Sequence, residues 1–539
     1  MTAWGGKENS TGCEAQGGRP ERHPVVQTEA GAVMGVTRDS VSVFRGVPYG
    51  ADTEGNSRFM PAQPPLQWAG VRDAMSYGCT APQPHPGASA VPPHLAWVFD
   101  SQPRGENCLV LNIYAPFELF ADAAPVMVFF HGGGFVNGSA SPPGLDGANL
   151  AMQGVVVVTI NHRLNIFGHL YLGEHHNDYA DSGNIGLLDA VSALRWVKRN
   201  IGQFGGDPDC VTIFGQSGGG SKVAALMSLP AAKGLFHRAI IQSASSMLRL
   251  ATLDEAARNA DLVLNELQLD RRRPRTLHET SVPNLLAAIP CAIRAAGRRD
   301  YFRPVVDGLH LLDQPFAAAS LRLSSDVPVM MGWCETEQRA SISLTPQVLN
   351  QTHSSALAGV ARFLDVPDYL AANVMSTYAA GRPNDSPGDL LAMIYGDHRY
   401  RRTVTTAAER RMTSANAATY LYMIRWRSPA MGGLLRSPHM LCLPFVFRNV
   451  DRAREFVGTE PDRYRLQEEI SRAWVQFART GDPNGVGLAQ WPAYNLEERP
   501  TMVFDRESGP EYDPASDERL QLELCPLYNP AEGEGGRRG

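Results

Sequence analysis

The 539-residue chain is 43% hydrophobic and 19% charged, globular proportions with enough apolar material for a large buried core. A formal net charge of −6 offers no positive field for a polyanion, so nucleic acid is not an expected partner. No apolar run reaches the roughly 18 residues of a membrane-spanning helix, so no membrane partner is expected either.

Residues 1–24 have no apolar segment behind a basic start, so they read as a disordered leader rather than a secretion signal, and a cytoplasmic protein is expected. Short β-branched runs then recur at Val126–Phe130, Val155–Ile160, Val211–Phe214, Ala239–Ser243, Val327–Met331 and Tyr420–Ile424. Unbroken apolar strands of this kind are buried on both faces, as in a mostly parallel sheet covered by helices, which makes the class α/β. Between the second and third runs, Leu187, Val191, Leu194, Val197 and Ile201 fall at helical spacing and stop at paired glycines, the pattern of a crossover helix. Leu466, Ile470, Trp474 and Phe477 repeat it before a Gly-Asp-Pro-Asn-Gly turn. With no internal repeat and no linker, residues 25–530 read as one domain with long insertions, followed by a disordered tail over 531–539. The eight cysteines are too sparse for a disulfide scaffold and none has metal-ligand spacing. Cys79 and Cys108 flank a Pro-rich loop and are the one pair whose bridging is in question; without an export signal, reduced thiols are expected.

The stretch "FGQSGGGSK" at Phe214–Lys222 puts Ser217 between a strand and a helix that runs towards Pro230. A serine on that corner takes a strained backbone, and Gly215 and Gly219 remove the side chains that would collide there. A phosphate-binding loop would need Gly-Lys-Ser/Thr in register, whereas here Lys222 follows Ser221. A serine hydroxyl needs a base, a group that orients the base, and donors for the developing oxyanion. The triple glycine in "FFHGGGF" follows a strand and can turn successive N–H groups into one concavity, with Gly133, Gly134 and Gly218 as the hole; glycine clusters are also common loop punctuation.

These segments, together with "FRGVPYG" at Phe44–Gly50, "GENCLVLNIYAP" at Gly105–Pro116, "INHRLNIFG" at Ile160–Gly168, "RPVVDG" at Arg303–Gly308 and "LPFVF" at Leu443–Phe447, resemble the type-B carboxylesterases, the cholinesterase-like branch of the α/β-hydrolases. The resemblance implies an α/β-hydrolase fold, a central mostly parallel mixed sheet flanked by helices with insertions around the active site. It also implies a catalytic Ser-Glu-His set in that chain order. The family places the acid five residues past a strand-ending glycine, which selects Glu337 counted from Gly332, with Glu335 as rival. A base after the acid leaves His353, His398 and His439; the first two sit in polar or charged surroundings that read as surface or helix positions. His439 lies in a segment resembling the family's histidine loop and is the assignment.

The expected function is hydrolysis of uncharged, largely apolar small-molecule esters through an acyl-enzyme, by a monomer or homodimer, with no metal or organic cofactor. An amide or carbamate hydrolase on the same triad, or a non-catalytic interaction protein of the same fold, is the alternative. Gln216 stands where many relatives carry glutamate and is taken as a substrate-binding position that weakens attraction for cationic alcohols. Trp97 and Phe99, between Cys79 and Cys108, read as packing anchors or substrate-facing aromatics.

Overall fold

The structure is a computed structural model that describes residues 22–84, 91–117, 123–296 and 302–528; residues 1–21 of the expected leader and the whole expected tail lie outside the described residues. Strands β1 (Val36–Arg38), β2 (Val41–Pro48), β3 (Val110–Pro116), β4 (Ala124–Phe130), β5 (Val156–Ile160), β6 (Gly206–Gln216), β7 (Arg238–Gln242), β8 (Val329–Cys334), β9 (Thr419–Ile424), β10 (Pro500–Phe504) and β11 (Gly509–Tyr512) form one sheet. Its order is β11-β10-β9-β8-β7-β6-β4-β5-β3-β2-β1. Strands β4 to β10 pair in parallel, and antiparallel pairs close both edges.

Each predicted apolar run is one of these strands, and the reason is visible in β4. Val126, Val128 and Phe130 face one apolar layer while Met127 and Phe129 face the other, all fully buried. The run predicted from Val327 starts as a strand only at Val329, because Pro328 has no N–H for the ladder. Crossover helix α1 spans Ile185–Asn200, and its extension ends at Gly205 with φ 80°. Helix α2 runs Gly218–Met227 and α3 runs Asp462–Thr480, the latter stopped by Gly481 at φ 82°. Both glycines take the left-handed conformation that a side chain would disfavour. Strands β1, β2, β3, β10 and β11, at the two flanks of the sheet, are not among the apolar runs that the sequence marks.

In an open parallel sheet the loops leaving the carboxyl ends of the strands share one side. Here β4 leads into His131–Phe135, β6 into Ser217 and β8 into Glu335–Glu337, and the segment after β9 carries His439. A buried fork supports this side: Arg163 Nε and Nη2 donate to the two Asp189 oxygens at 2.8 and 2.6 Å, tying the loop after β5 to α1.

Candidate active site

Ser217 sits between β6 and α2 with φ 58° and ψ −125°, a sparsely populated backbone conformation. Its N–H donates to Gln242 O at 2.8 Å and its carbonyl accepts from Ser221 N–H at 3.1 Å, which fixes the corner from both sides. The neighbouring glycines are required by close approach. A Cβ on Gly215 would lie 2.4 Å from the carbonyl carbon of Gly219, and one on Gly219 would lie 1.9 Å from Phe130 O. Any side chain at either position would push the serine off its corner.

A Cβ on Gly218 would fall 2.1 Å from Gly134 O, so the start of α2 rests directly on the glycine loop. Gly133 and Gly134 have φ of 89° and 65°. Among the described residues the N–H groups of Gly133, Gly134 and Gly218 donate to no protein acceptor. These N–H groups flank Ser217, those of Gly134 and Gly218 on residues lining one cavity at the serine and that of Gly133 on a residue lining the other.

Glu337 is 2% exposed; its Oε1 accepts Cys334 N–H at 2.8 Å, and its Oε2 lies 2.5 Å from His439 Nδ1. The two loops are stapled together. Thr336 N–H and Oγ1 donate to Ser437 O at 3.0 and 2.9 Å, Ser437 N–H donates back to Thr336 Oγ1 at 2.8 Å, and His439 N–H donates to Glu337 O at 3.1 Å. Glu335, the rival acid, turns away to Arg425 and Arg427 at 3.6 and 3.5 Å, and burial raises its carboxyl above the usual range despite those cations. His353 is an exposed residue opening the helix His353–Leu364. His398 takes the helix position of the two expected for it, buried in the turn Asp397–Arg401: its Nε2 meets Pro526 O at 2.8 Å, and burial pushes the imidazole down to about 4.

Ser217 and His439 line the same cavity, but no hydrogen bond joins them. The side-chain amide of Gln216 donates to His439 Nε2 at 3.1 Å, so the nitrogen that would face the serine is engaged. Tyr400, from the π-helical turn Asp397–Arg401, packs its ring 4.8 Å from the imidazole. Nothing in the local sequence of Tyr400 signals this contact, which depends on where the turn lands in space. Cys442 is buried beside Cys334, whose N–H holds the acid, and both are free thiols, as are Cys79 and Cys108.

Two cavities meet at Ser217. The larger, about 710 Å³, is lined by Val98, Phe99, Leu145, Gln216, His439 and Leu443 among others. Phe99 thus faces the cavity, while Trp97 is buried against Phe456, and the pair divides between the two roles open to it. The smaller, about 130 Å³, is bounded by Gly134, Gly218, Phe135 and Phe302 together with Ser221, Ser245, Ser246, Arg303 and Arg399, none of which the sequence marks as a site residue. Behind the glycine loop lies Lys222, 2% exposed, its Nζ donating to His131 O at 3.0 Å; burial pushes it down to about 7. His131 and His162 stack at 4.9 Å, both well below the ordinary imidazole range through burial and the nearby ammonium.

Residues 22–522 match the family model described as "Carboxylesterase family". The chain is 35% identical over 508 residues to the para-nitrobenzyl esterase of Bacillus subtilis (strain 168), covering 93% of this chain and 98% of that one. It is 32% identical over 497 residues to the phenmedipham hydrolase of Pseudarthrobacter oxydans, covering 90% and 95%. The crystal structure of a Geobacillus stearothermophilus carboxylesterase superposes with a TM-score of 0.80 at 35% identity, over 92% of this chain and 99% of the other.

Proposed function

The chain belongs to the carboxylesterase family and is a carboxylic ester hydrolase, and from that premise we propose that Ser217 is its nucleophile, His439 its general base and acid, and Glu337 the group that orients the imidazole. One observation carries this reading: a strained serine stands beside three unused main-chain donors and shares a cavity with an imidazole bonded to a buried carboxylate.

The Nδ1 proton of His439 is donated to Glu337, which leaves the Nε2 lone pair accepting from Gln216. When an ester enters, the imidazole exchanges the amide for the Ser217 hydroxyl and takes its proton as Oγ attacks the carbonyl carbon. The oxyanion is received by the N–H groups of Gly133, Gly134 and Gly218, each such donor lowering the barrier by about 3 kcal/mol. His439 then protonates the leaving oxygen. Because His439 lines only the larger cavity, the alcohol half belongs there, against Val98, Phe99, Leu145 and Leu443, and the acid half belongs in the smaller one. Water repeats the cycle on the acyl-serine and regenerates the hydroxyl. The apolar walls of the larger cavity favour small neutral alcohols.

Ser217→Ala is expected to fold normally and to lose p-nitrophenyl butyrate turnover and fluorophosphonate labelling, kcat dropping by about 10⁴-fold or more. Labelling at the wild-type level in that variant overturns the assignment.

A further inference from the structure

Gly133 and Gly134 lie in the middle of the loop His131–Phe135, and a glycine has no side chain with which to fix its own place. Their positions are set by what grips the residues on either side. One side chain grips both. Lys222 Nζ donates to His131 O at 3.0 Å and stands 5.6 Å from the centre of the Phe135 ring. Lys222 comes from α2, one turn after Gly218, so the two share a face of that helix. The helix that supplies the Gly218 N–H thus also holds the loop that supplies those of Gly133 and Gly134, and a Cβ on Gly218 would fall 2.4 Å from Gly134 Cα.

The surroundings of Lys222 make this hold expensive. The residue is 2% exposed, and among the described residues no carboxylate lies within ion-pair distance of it. Its titratable neighbours are His131, His162 and His169, all buried bases. His131 stacks on His162, and Phe135 meets His169 edge to face at 5.5 Å. A buried amine with one acceptor and no counter-ion is less stable than an apolar side chain of the same length. What an apolar side chain could not supply is the bond to His131 O.

Resting on the reading of Ser217 and its main-chain donors above, we propose that Lys222 is a positioning residue for the hydrolysis: by holding His131 and Phe135 it keeps the Gly133 and Gly134 N–H groups in register with that of Gly218 as charge develops on the ester oxygen. Lys222 touches no reacting atom. Its effect therefore belongs to the transition state, where the oxyanion exists, and not to the uptake of the neutral ester.

The test compares the wild type with Lys222→Met and Lys222→Gln in p-nitrophenyl butyrate hydrolysis, in inhibition by phenethyl trifluoromethyl ketone and in inhibition by benzyl alcohol. The ketone carbon takes Ser217 Oγ, its oxygen becomes the oxyanion and the hydroxyl proton passes to His439, so its affinity reports the donors. Benzyl alcohol belongs, by the reading above, in the larger cavity and makes no oxyanion. Lys222→Met keeps the length of the side chain and removes the donor; kcat is expected to fall by about ten- to hundredfold and the ketone to bind more weakly by the same factor. KM and inhibition by benzyl alcohol are expected to stay within about twofold of the wild type. Lys222→Gln retains an N–H donor on a shorter stem and is expected to show a smaller loss of the same pattern; it carries the comparison should Lys222→Met fail to fold. Unchanged kcat and ketone affinity in Lys222→Met overturn the proposal, as does a loss shared equally by benzyl alcohol, the mark of a site loosened as a whole. A wild type that binds the trifluoromethyl ketone no better than the matching methyl ketone overturns the reading of Ser217 and its donors instead.

Discussion

The two cavities that meet at Ser217 are walled by different chemistry. The larger is closed by loop segments, Val98 and Phe99 from one and Leu145 from another, with Leu443 from the helix after His439, and it selects by shape and apolar area. The smaller is built from the start of α2, the turn after β7 and the π-helical turn that also carries Tyr400, and its lining includes serine hydroxyls and two arginines. A serine flanked by one cavity of each kind can read the two halves of an ester independently. The lesson is that the walls on either side of the reacting carbon come from different segments of the chain, so each half of the ester meets its own set of residues.

The changes that test this division can be ranked by size. Glu337→Gln removes the carboxylate that holds the imidazole tautomer and is expected to lower kcat by about 10³- to 10⁴-fold. With His439 in the role proposed for it, the loss should be equal for esters varied on either side. Glu335→Gln, whose carboxylate faces Arg425 and Arg427 and not His439, should change kcat by less than about twofold, because it touches no group of the proposed triad. A larger loss from Glu335→Gln than from Glu337→Gln would show the acid to have been misassigned.

Phe99→Ala should act on one side only. The ring is 41% exposed and lines the larger cavity. Truncating it should lower kcat/KM for benzyl or naphthyl esters by about five- to tenfold, in line with the apolar area lost, and leave ethyl esters of the same acid nearly unchanged. An equal loss for both alcohols would break the separation of the two cavities.

The smallest effect lies behind the site, in stability. Burial holds Lys222 down to about 7, whereas in the unfolded chain it titrates near 10.5. Over that window the unfolded state binds more protons than the folded one, so the burden of this lysine on stability is full below pH 7 and shrinks as pH rises towards 10.5. Urea midpoints for wild type and Lys222→Met, measured at about pH 6.5 and about pH 9.5, should therefore show the variant gaining most at the lower pH. A difference between the two proteins that stays constant across this range would show that Lys222 does not titrate there.

Much of this was legible in the chain. Apolar runs marked the parallel strands because burial on both faces leaves no polar alternation, and Gly215, Ser217 and Gly219 marked the corner because only those residue types tolerate its contacts. The resemblance pointed to Glu337 and His439, and the structure brings these two together. The two edge strands, β1 and β11, were harder to see, since segments of 3 and 4 residues carry too little periodicity to stand out.

What sequence determined by itself is the family resemblance, carried by its motifs, and the place along the chain of the parallel strands and of the residue types that bear the chemistry, all of which are local in the chain. Only tertiary structure decided that Glu335 turns to arginines while Glu337 meets His439, that Gln216 occupies the imidazole nitrogen, and that Arg303 and Arg399 share a wall with the unused hydroxyl of Ser221. The physical reason is the distance in chain between partners. Backbone conformation is encoded by neighbours, whereas the direction of a side chain across a cleft is set by packing among segments far apart in the chain.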